Sequence, residues 1–368
     1  MSSICELVSC EAIQQSLDTA FGANNMMPEE LGTLSYVLSQ ENVGSAQIKG
    51  EITANSKVNP VKVVYDQRDA DDDVEAGRGG CVSTNEECDL TKTYNFDTTD
   101  ANHKSFTISP QDLAGTCEEN SAFVARKIAK KIEGLDRFVA QKLATTIAAE
   151  YGNWATTVAD IRGVNLTAGN ILQVNDYIGT TGEPNSVMFQ QVRRALSQSR
   201  IQGGVVAGGS ALVDYAERAY SRNGAASGWD LGEMAGRYGF APIFDRFLAD
   251  ELAAVGATNA AIGRGSVIPL VFALFENQFN KMNDSTNIAD VIYSPYTGMM
   301  YDLIINRPCP TDPWVITITE NSNFITQPDD MYKVGDIYEG VKSLALLDVT
   351  CTDFQPCAQE SVAPPSQS

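Results

Sequence analysis

The stretch that most constrains this chain runs from Thr116 to Tyr151, TCEENSAFVARKIAKKIEGLDRFVAQKLATTIAAEY. Thr116 and Glu119 have the Ser/Thr-x-x-Glu spacing of a capping box, which satisfies two orphan amide donors at a helix start. Apolar residues then recur in steps of three or four at Val124, Ile128, Ile132, Leu135, Val139, Leu143 and Ile147. That spacing is one face of an α-helix, and Gly152 follows as a stop. It predicts a helix over residues 117–151, on the order of 50 Å long at roughly 1.5 Å per residue. Globular helices are usually a third of that length. Gly134, in its middle, costs about 1 kcal/mol against alanine, which a docked helix absorbs.

The opposite face is basic. Arg126, Lys127, Lys130, Lys131, Arg137 and Lys142 stand against only Glu133 and Asp136, in a chain whose net charge is −21. Two readings follow: a solvated lysine face, or a rigid rod whose minority charge meets an acidic partner.

At 368 residues the chain can bury a core divided into two or three subdomains. Its 43% apolar and 20% charged content fits a soluble globular protein. The acidity argues against a nucleic-acid-binding face spread over the surface. MSSICELVSCEA lacks the basic start and hydrophobic stretch of a secretory signal. The apolar run VIPLVFALF at 267–275 contains a proline and is too short to span a bilayer. The expectation is a protein made in a cytoplasm, with no membrane partner. No two of the eight cysteines are spaced C-x-x-C and the single histidine is His103, which points away from a zinc site. Cys81 and Cys88 flank a loop tip at the spacing of a small ring, although cytosolic thiols usually stay reduced.

Residues 1–45 show no sustained periodicity beyond a short helix near 11–20, broken by Gly22 and Asn24, and read as an arm. Residues 46–67 and 90–109 are rich in β-branched residues with partial alternation, as strands are. The polar, glycine-containing 68–89 between them is turn chemistry. Together they predict a long projecting hairpin, with Pro60 at an edge or bulge. A two-stranded ribbon is marginal in water and needs a surface to lie on, and the chain shows no second sheet nearby. After the rod, helix is expected over 186–199, then a short buried strand at 203–210 entering a helix at 211–220. An apolar segment at 240–248 precedes helix or turn at 249–255. Residues 265–276, 298–307 and 314–326 read mostly as strands, and 336–349 closes the body before a polar tail expected to be disordered.

The familiar active-site devices fail on their chemistry. GGVVAGGS has the P-loop gap from Gly203 to Gly208, but Gly209 stands where the phosphate-binding lysine is required. A Ser-His-Asp device would have to use His103, and there is no G-x-S-x-G. A calcium loop counted from Asp69 has Val74 at position six and Gly80 at position twelve, where Gly and Glu are required. No catalytic, cofactor-binding or metal-ligating residue is therefore nominated. A soluble hydrolase with a paired-carboxylate site stands as the reading from a different class. One pairing does stand out. Residues 66–75 hold six acids, among them Asp69, Asp71, Asp72, Asp73 and Glu75, while Arg126, Lys127, Lys130, Lys131 and Arg137 lie on the rod. A hairpin laid across a neighbouring subunit's rod would bring opposite charges together. Exposed pairs contribute about 0–1 kcal/mol each, enough to set register, and such terms repeat around a closed symmetric assembly.

This order of arm, hairpin, rod and mixed body resembles the major capsid protein of tailed bacteriophages, the Hong Kong 97-type fold also used by encapsulins. VVAGGSALVDYAERAY and YGFAPIFDRFLADE resemble passages of that family's axial domain. The resemblance implies an α+β fold with an N-terminal arm at 1–45 and an E-loop hairpin at 46–110. It places the spine helix of a peripheral domain at 111–160, an axial domain with returning peripheral strands at 161–350, and a tail at 351–368. It implies a non-enzymatic subunit without cofactors, a virion location, and assembly in the host cytoplasm. The implied partners are other copies in pentamers and hexamers, scaffolding, portal and decoration proteins, and packaged DNA bound only non-specifically. No helical scaffolding segment precedes the arm, so a separate scaffolding protein or none is expected. Lys57 and Lys62 lie in the hairpin without any mark of crosslinking reactivity. An encapsulin-like compartment loaded with enzymes is the second reading of related class.

Overall fold

The computed structural model describes residues 10–19, 28–40, 46–49, 58–66, 89–97, 101–109, 111–112, 120–175, 177–178, 183–184, 187–201, 203–222, 238–275, 282–283, 287–307, 312–332 and 338–349. The chain divides into two units. The first comprises residues 1–66, 89–146 and 267–326, and the second 67–88, 147–266 and 327–368.

The first unit opens with α1 (Cys10–Leu17), the short helix expected there, and with α2 (Gly32–Ser39). Ile13 and Leu17 of α1 and Leu34 and Val37 of α2 are buried, so these residues join the core of their own unit. Strands β1 (Ala46–Lys49), β2 (Val58–Asp66) and β3 (Asp89–Asp97) follow as an antiparallel sheet with β2 in the middle. The ladder of β2 with β3 ends at Asp66 opposite Asp89, which is the expected hairpin. Among the described residues the ladder of β1 reaches Lys49 opposite Lys62, and Pro60 is paired with Asn95 of β3.

Two expectations are corrected. Residues 90–109 are not one strand, because β4 (Asn102–Ile108) leaves the ribbon for a different sheet. Nor is the ribbon without a surface of its own. Val61, Val63 and Tyr65 are buried, Lys92 Nζ donates to the Thr326 carbonyl at 3.2 Å, and Asn323 Nδ2 donates to the Tyr94 hydroxyl. That surface comes from residues more than two hundred positions later, beyond the reach of any local pattern.

The rod is α3 (Asn120–Ala149), 30 residues and about 45 Å long. Its seven stripe residues, Val124 to Ile147, are all buried. The helix ends at Ala149, two residues before the expected Tyr151, while its expected start at Cys117 and the Thr116–Glu119 capping box lie outside the described residues. The last turn, from Ile147, belongs to the second unit.

The second unit continues with β5 (Val164–Leu166), β6 (Leu172–Val174), β7 (Tyr177–Ile178), β8 (Glu183–Pro184), α4 (Met188–Gln198), β9 (Gly204–Gly208) and α5 (Ala211–Arg222). Next come β10 (Phe240–Phe244), α6 (Arg246–Ala253) and β11 (Asn259–Ile262). The chain then returns to the first unit through β12 (Val267–Val271), β13 (Met282–Asn283), β14 (Asn287–Tyr293), β15 (Met300–Asn306), β16 (Trp314–Glu320) and β17 (Ser322–Thr326). It ends in the second unit with β18 (Leu344–Asp348). The fold is α+β.

The second unit is built on a six-stranded mixed sheet of order β10-β9-β11-β18-β6-β5. Val205, Val206 and Ala207 of the glycine-flanked run are buried within it. At its exit Gly208 has φ +131°, and a Cβ there would lie 2.5 Å from the Thr258 carbonyl oxygen. The glycine serves a close strand approach, which accounts for the P-loop-like spelling. Asp245 caps α6 by accepting from Leu248 N at 3.0 Å. Gly152 runs beside β18, donating its amide to the Leu344 carbonyl at 2.8 Å. A Cβ at Gly152 would fall 2.5 Å from Lys342 Cβ and 2.7 Å from its backbone nitrogen.

Two substitutions test this packing. Ile132→Ala, at a fully buried stripe position, is expected to cost about 2–5 kcal/mol in urea unfolding. Gly152→Ala forces a backbone shift and is expected to cost about 1–3 kcal/mol, where an exposed glycine outside a helix would be indifferent to alanine.

Candidate functional site

The five-stranded antiparallel sheet of the first unit has the order β13-β14-β15-β16-β4. Successive residues of a strand face opposite sides. In β16, Trp314, Ile316, Ile318 and Glu320 are buried while Val315, Thr317 and Thr319 are not. Register places Ile108, Phe106, Lys104 and Asn102 of β4 opposite those four buried residues in turn. Tyr301, Leu303 and Ile305 continue the buried face on β15.

The rod lies on this face, and its side chains mark the line of contact. The Lys131 ammonium sits 5.8 Å from the centre of the Phe106 ring on β4. Two residues before Phe106, the Lys104 side chain crosses the helix where Gly134 leaves room, since a Cβ at 134 would lie 2.4 Å from Lys104 Nζ. The mid-helix glycine thus lets a lysine on the sheet's inner face reach past the rod. Lys142 ends the line by donating to the Ser322 carbonyl.

Beneath the rod sits a carboxylate. Asp136 is fully buried and accepts hydrogen bonds from Ser294 Oγ at 2.6 Å, Thr297 Oγ1 at 3.1 Å and the Tyr301 hydroxyl at 2.5 Å. Burial pushes its carboxyl up to about 6. Hydrogen bonds from Ser294, Tyr301 and Thr297 work against that rise, and the neighbouring charge of Glu133 adds to it. Burial and the Asp136 charge hold the Tyr301 hydroxyl well above its ordinary range, so it stays a donor. Glu320, also fully buried, accepts from Asn102 Nδ2 and Ser322 Oγ, both at 2.8 Å. Asp302 accepts from the amides of Leu274 and Phe275 at 2.9 and 3.0 Å, and burial raises its pKa.

The residues singled out in the sequence divide into two groups. Arg126, Lys127 and Lys130 are exposed on α3, with Arg126 and Lys127 5.7 and 5.5 Å from the centre of the Phe123 ring. Lys131 is half-buried over Phe106. Arg137 pairs with Glu133 at 3.0 Å and with Glu30 at 3.5 Å, so its charge is answered inside its own unit. Asp69, Asp71, Asp72, Asp73 and Glu75 lie outside the described residues, as do Cys81 and Cys88. His103 is exposed on β4 opposite Thr319. Among the described residues no group of three or more His, Cys, Asp or Glu is placed to hold a metal.

Sequence reasoning counted Asp136 with the basic face and missed the buried cluster. The signal was its spacing. Asp136 stands four residues after Ile132 and three before Val139, on the apolar stripe itself.

No family model matches the chain, and no curated protein matches it. Among solved structures it is similar to the cyanophage A-1(L) capsid asymmetric unit at 12% identity, over 89% of this chain and 95% of that one, with a TM-score of 0.47. It is similar to the capsid of Ralstonia phage GP4 at 11% identity, over 91% and 95%, with a TM-score of 0.44. Against the holo-SrpI encapsulin complex from Synechococcus elongatus PCC 7942 the figures are 10% identity, 92% and 96%, and a TM-score of 0.35.

The Gly134 contact yields a test. Gly134→Ala should raise stability in urea unfolding by about 0.5–1 kcal/mol, because the displaced Lys104 Nζ is the far end of a flexible side chain.

Proposed function

We propose that this chain is a major capsid subunit of the Hong Kong 97 type, self-assembling into the icosahedral shell that encloses the double-stranded DNA genome of a tailed bacteriophage. Residues 1–45 serve as its arm, 46–110 as its E-loop hairpin and 111–160 as the spine-helix segment of its peripheral domain. Residues 161–350 serve as the axial domain with returning peripheral strands, and 351–368 as a tail. The subunit acts structurally rather than as an enzyme, assembles in the host cytoplasm, and works in the virion with scaffolding, portal and decoration proteins.

The observation that carries this reading is the pairing of two features in one acidic chain. One is a long helix that presents the exposed Arg126, Lys127 and Lys130, the first two over the Phe123 ring. The other is a ribbon whose ladder ends with Asp66 opposite Asp89, the register from which the acid-rich residues 67–75 depart. In a shell, the acidic segment of one copy lies on the basic helix face of the next. Asp69, Asp71, Asp72, Asp73 and Glu75 supply one side of the contact and Arg126, Lys127, Lys130 and Lys131 the other, with Arg137 at its margin. The contributions are about 0–1 kcal/mol per pair, so the contact selects register and repeats with the symmetry. The net charge of −21 suits a wall that does not trap packed polyphosphate.

Electron microscopy of the purified protein is expected to show closed shells, and native particles are expected to protect DNA from nuclease. Shells that carry enzymes and no DNA would instead indicate an encapsulin-like compartment, and a lone monomer at all concentrations a different class of protein. Replacing Asp71, Asp72 and Asp73 together by lysine should lower shell yield without changing subunit unfolding. Adding Arg126→Glu, Lys127→Glu and Lys130→Glu should restore the yield. A triple variant that assembles normally removes the electrostatic register.

A further inference from the structure

Strand β4 is an open sheet edge. It ends the five-stranded sheet, paired with β16 from Asn102 opposite Glu320 to Ile108 opposite Trp314. Among the described residues nothing hydrogen-bonds to the backbone on its other side, and His103, Lys104, Ser105 and Thr107 are exposed. In an antiparallel ladder alternate residues turn their N–H and C=O away from the partner strand. Such an edge is a template for a further strand, and proteins blunt it by brevity, proline or charge. The other terminal strands of the two largest sheets follow that rule: β13 has two residues, β5 has three, and β10 contains Pro242. β4 has seven residues, no proline and an unbroken register.

One flank of α3 walls the groove beside this edge. Lys127, Lys131, Gly134, Phe138 and Lys142 follow one another at three or four residues, so they share that flank. Lys131 stands over Phe106, and Lys104 lies against Gly134. Phe138 is 41% exposed. Among the described residues no carboxylate pairs with Lys104 or Lys131. The edge therefore meets water as a backbone ladder beside two ammonium groups and an aromatic ring. Two β4 edges laid together would gather the ammonium groups of both copies, which like-charge repulsion opposes. A strand that fits must bring acid, and an apolar residue on the side that faces the rod.

We propose that β4 receives a strand from a second copy of this chain, and that the strand is residues 81–88, CVSTNEEC, the limb that leads back into β3. Val82, Thr84 and Glu86 alternate with Ser83, Asn85 and Glu87. In an extended strand one side then combines a valine, a threonine and a carboxylate, and the other is wholly polar. The edge is divided in the same way, with Lys104 and Phe106 on the side of the rod and His103, Ser105 and Thr107 on the other. Backbone pairing supplies the affinity of such an addition and the alternate side chains its specificity, here Glu86 and Glu87 against Lys104 and Lys131. The inference rests on the shell reading and completes its contact. The outgoing residues 67–75 meet the start of the rod, and the returning residues extend the sheet beside it.

The probe is a synthetic peptide of residues 80–89 carrying Cys81→Ser and Cys88→Ser, added to the full chain as unassembled subunits. Binding is read by fluorescence anisotropy of the labelled peptide and by amide hydrogen exchange of Asn102 to Ile108. Alternate amides of β4 are expected to gain about tenfold protection at a peptide concentration roughly ten times its Kd, while those already paired with β16 stay as they are. Lys104→Glu, at an exposed position, should weaken binding about three- to tenfold. A peptide that also carries Glu86→Lys and Glu87→Lys should prefer that variant to the wild type. No added protection of β4 at roughly 1 mM peptide overturns the strand addition, whether or not the peptide binds elsewhere. Equal binding to wild type and Lys104→Glu overturns it too. Closed shells in electron microscopy beside either failure leave the capsid reading standing, whereas a peptide held at β4 by subunits that never form shells does the reverse.

Discussion

The first unit depends on one packing event, the apolar stripe of α3 laid on the inner face of β15, β16 and β4. Each stripe residue that leaves water contributes about 1.5–3 kcal/mol, and the six that belong to this unit, Val124 to Leu143, are all buried. The strands that receive them come from both sides of the helix in sequence, β4 before it and β15 and β16 well after it. The helix therefore holds together segments that share no local contacts. Its polar exceptions sit where the sheet supplies an answer: Asp136 under the turn hydroxyls, Lys142 at Ser322, and Lys131 over Phe106.

The same arrangement separates the charges of the rod. Asp136 points into the sheet and Arg137 is engaged with Glu133 and Glu30. The cations exposed on the outside are concentrated toward the start of the helix, at Arg126, Lys127 and Lys130. A basic face spread along the rod would be a diffuse electrostatic surface. A short one is a local feature. The ribbon is anchored in a complementary way. Val61, Val63 and Tyr65 are buried, and the ribbon is tied to β17 through Lys92 and Tyr94.

Much of the fold was legible in the sequence. The period of three and four from Val124 to Ile147 marked the rod and named its buried side chains, because helical geometry alone decides which residues share a face. Alternation and β-branching marked β2, β3, β12, β15 and β16. Pro60 pointed to an edge or a bulge through its missing N–H, but residues 50–57, on which that depends, lie outside the described residues. The glycines around Val205–Ala207 marked a turn, though only the approach of the Thr258 carbonyl to Gly208 explains why glycine is needed. The division of 90–109 into β3 and β4 was not legible, because both halves have strand composition and only the choice of partner separates them.

Asp136 shows where the boundary lies. The sequence by itself determined that a carboxylate stands on the apolar stripe of a long helix, since position on a helix follows from spacing. It also determined the acidity of the chain and the lack of a P-loop lysine. Only the tertiary structure decided that Ser294, Thr297 and Tyr301 meet that carboxylate, that Lys104 passes at Gly134, and that Arg137 is answered by Glu30. Those groups lie far from one another in sequence, and hydrogen bonds at 2.5–3.1 Å around Asp136 depend on how sheet and helix dock. Local periodicity carries no information about that distance.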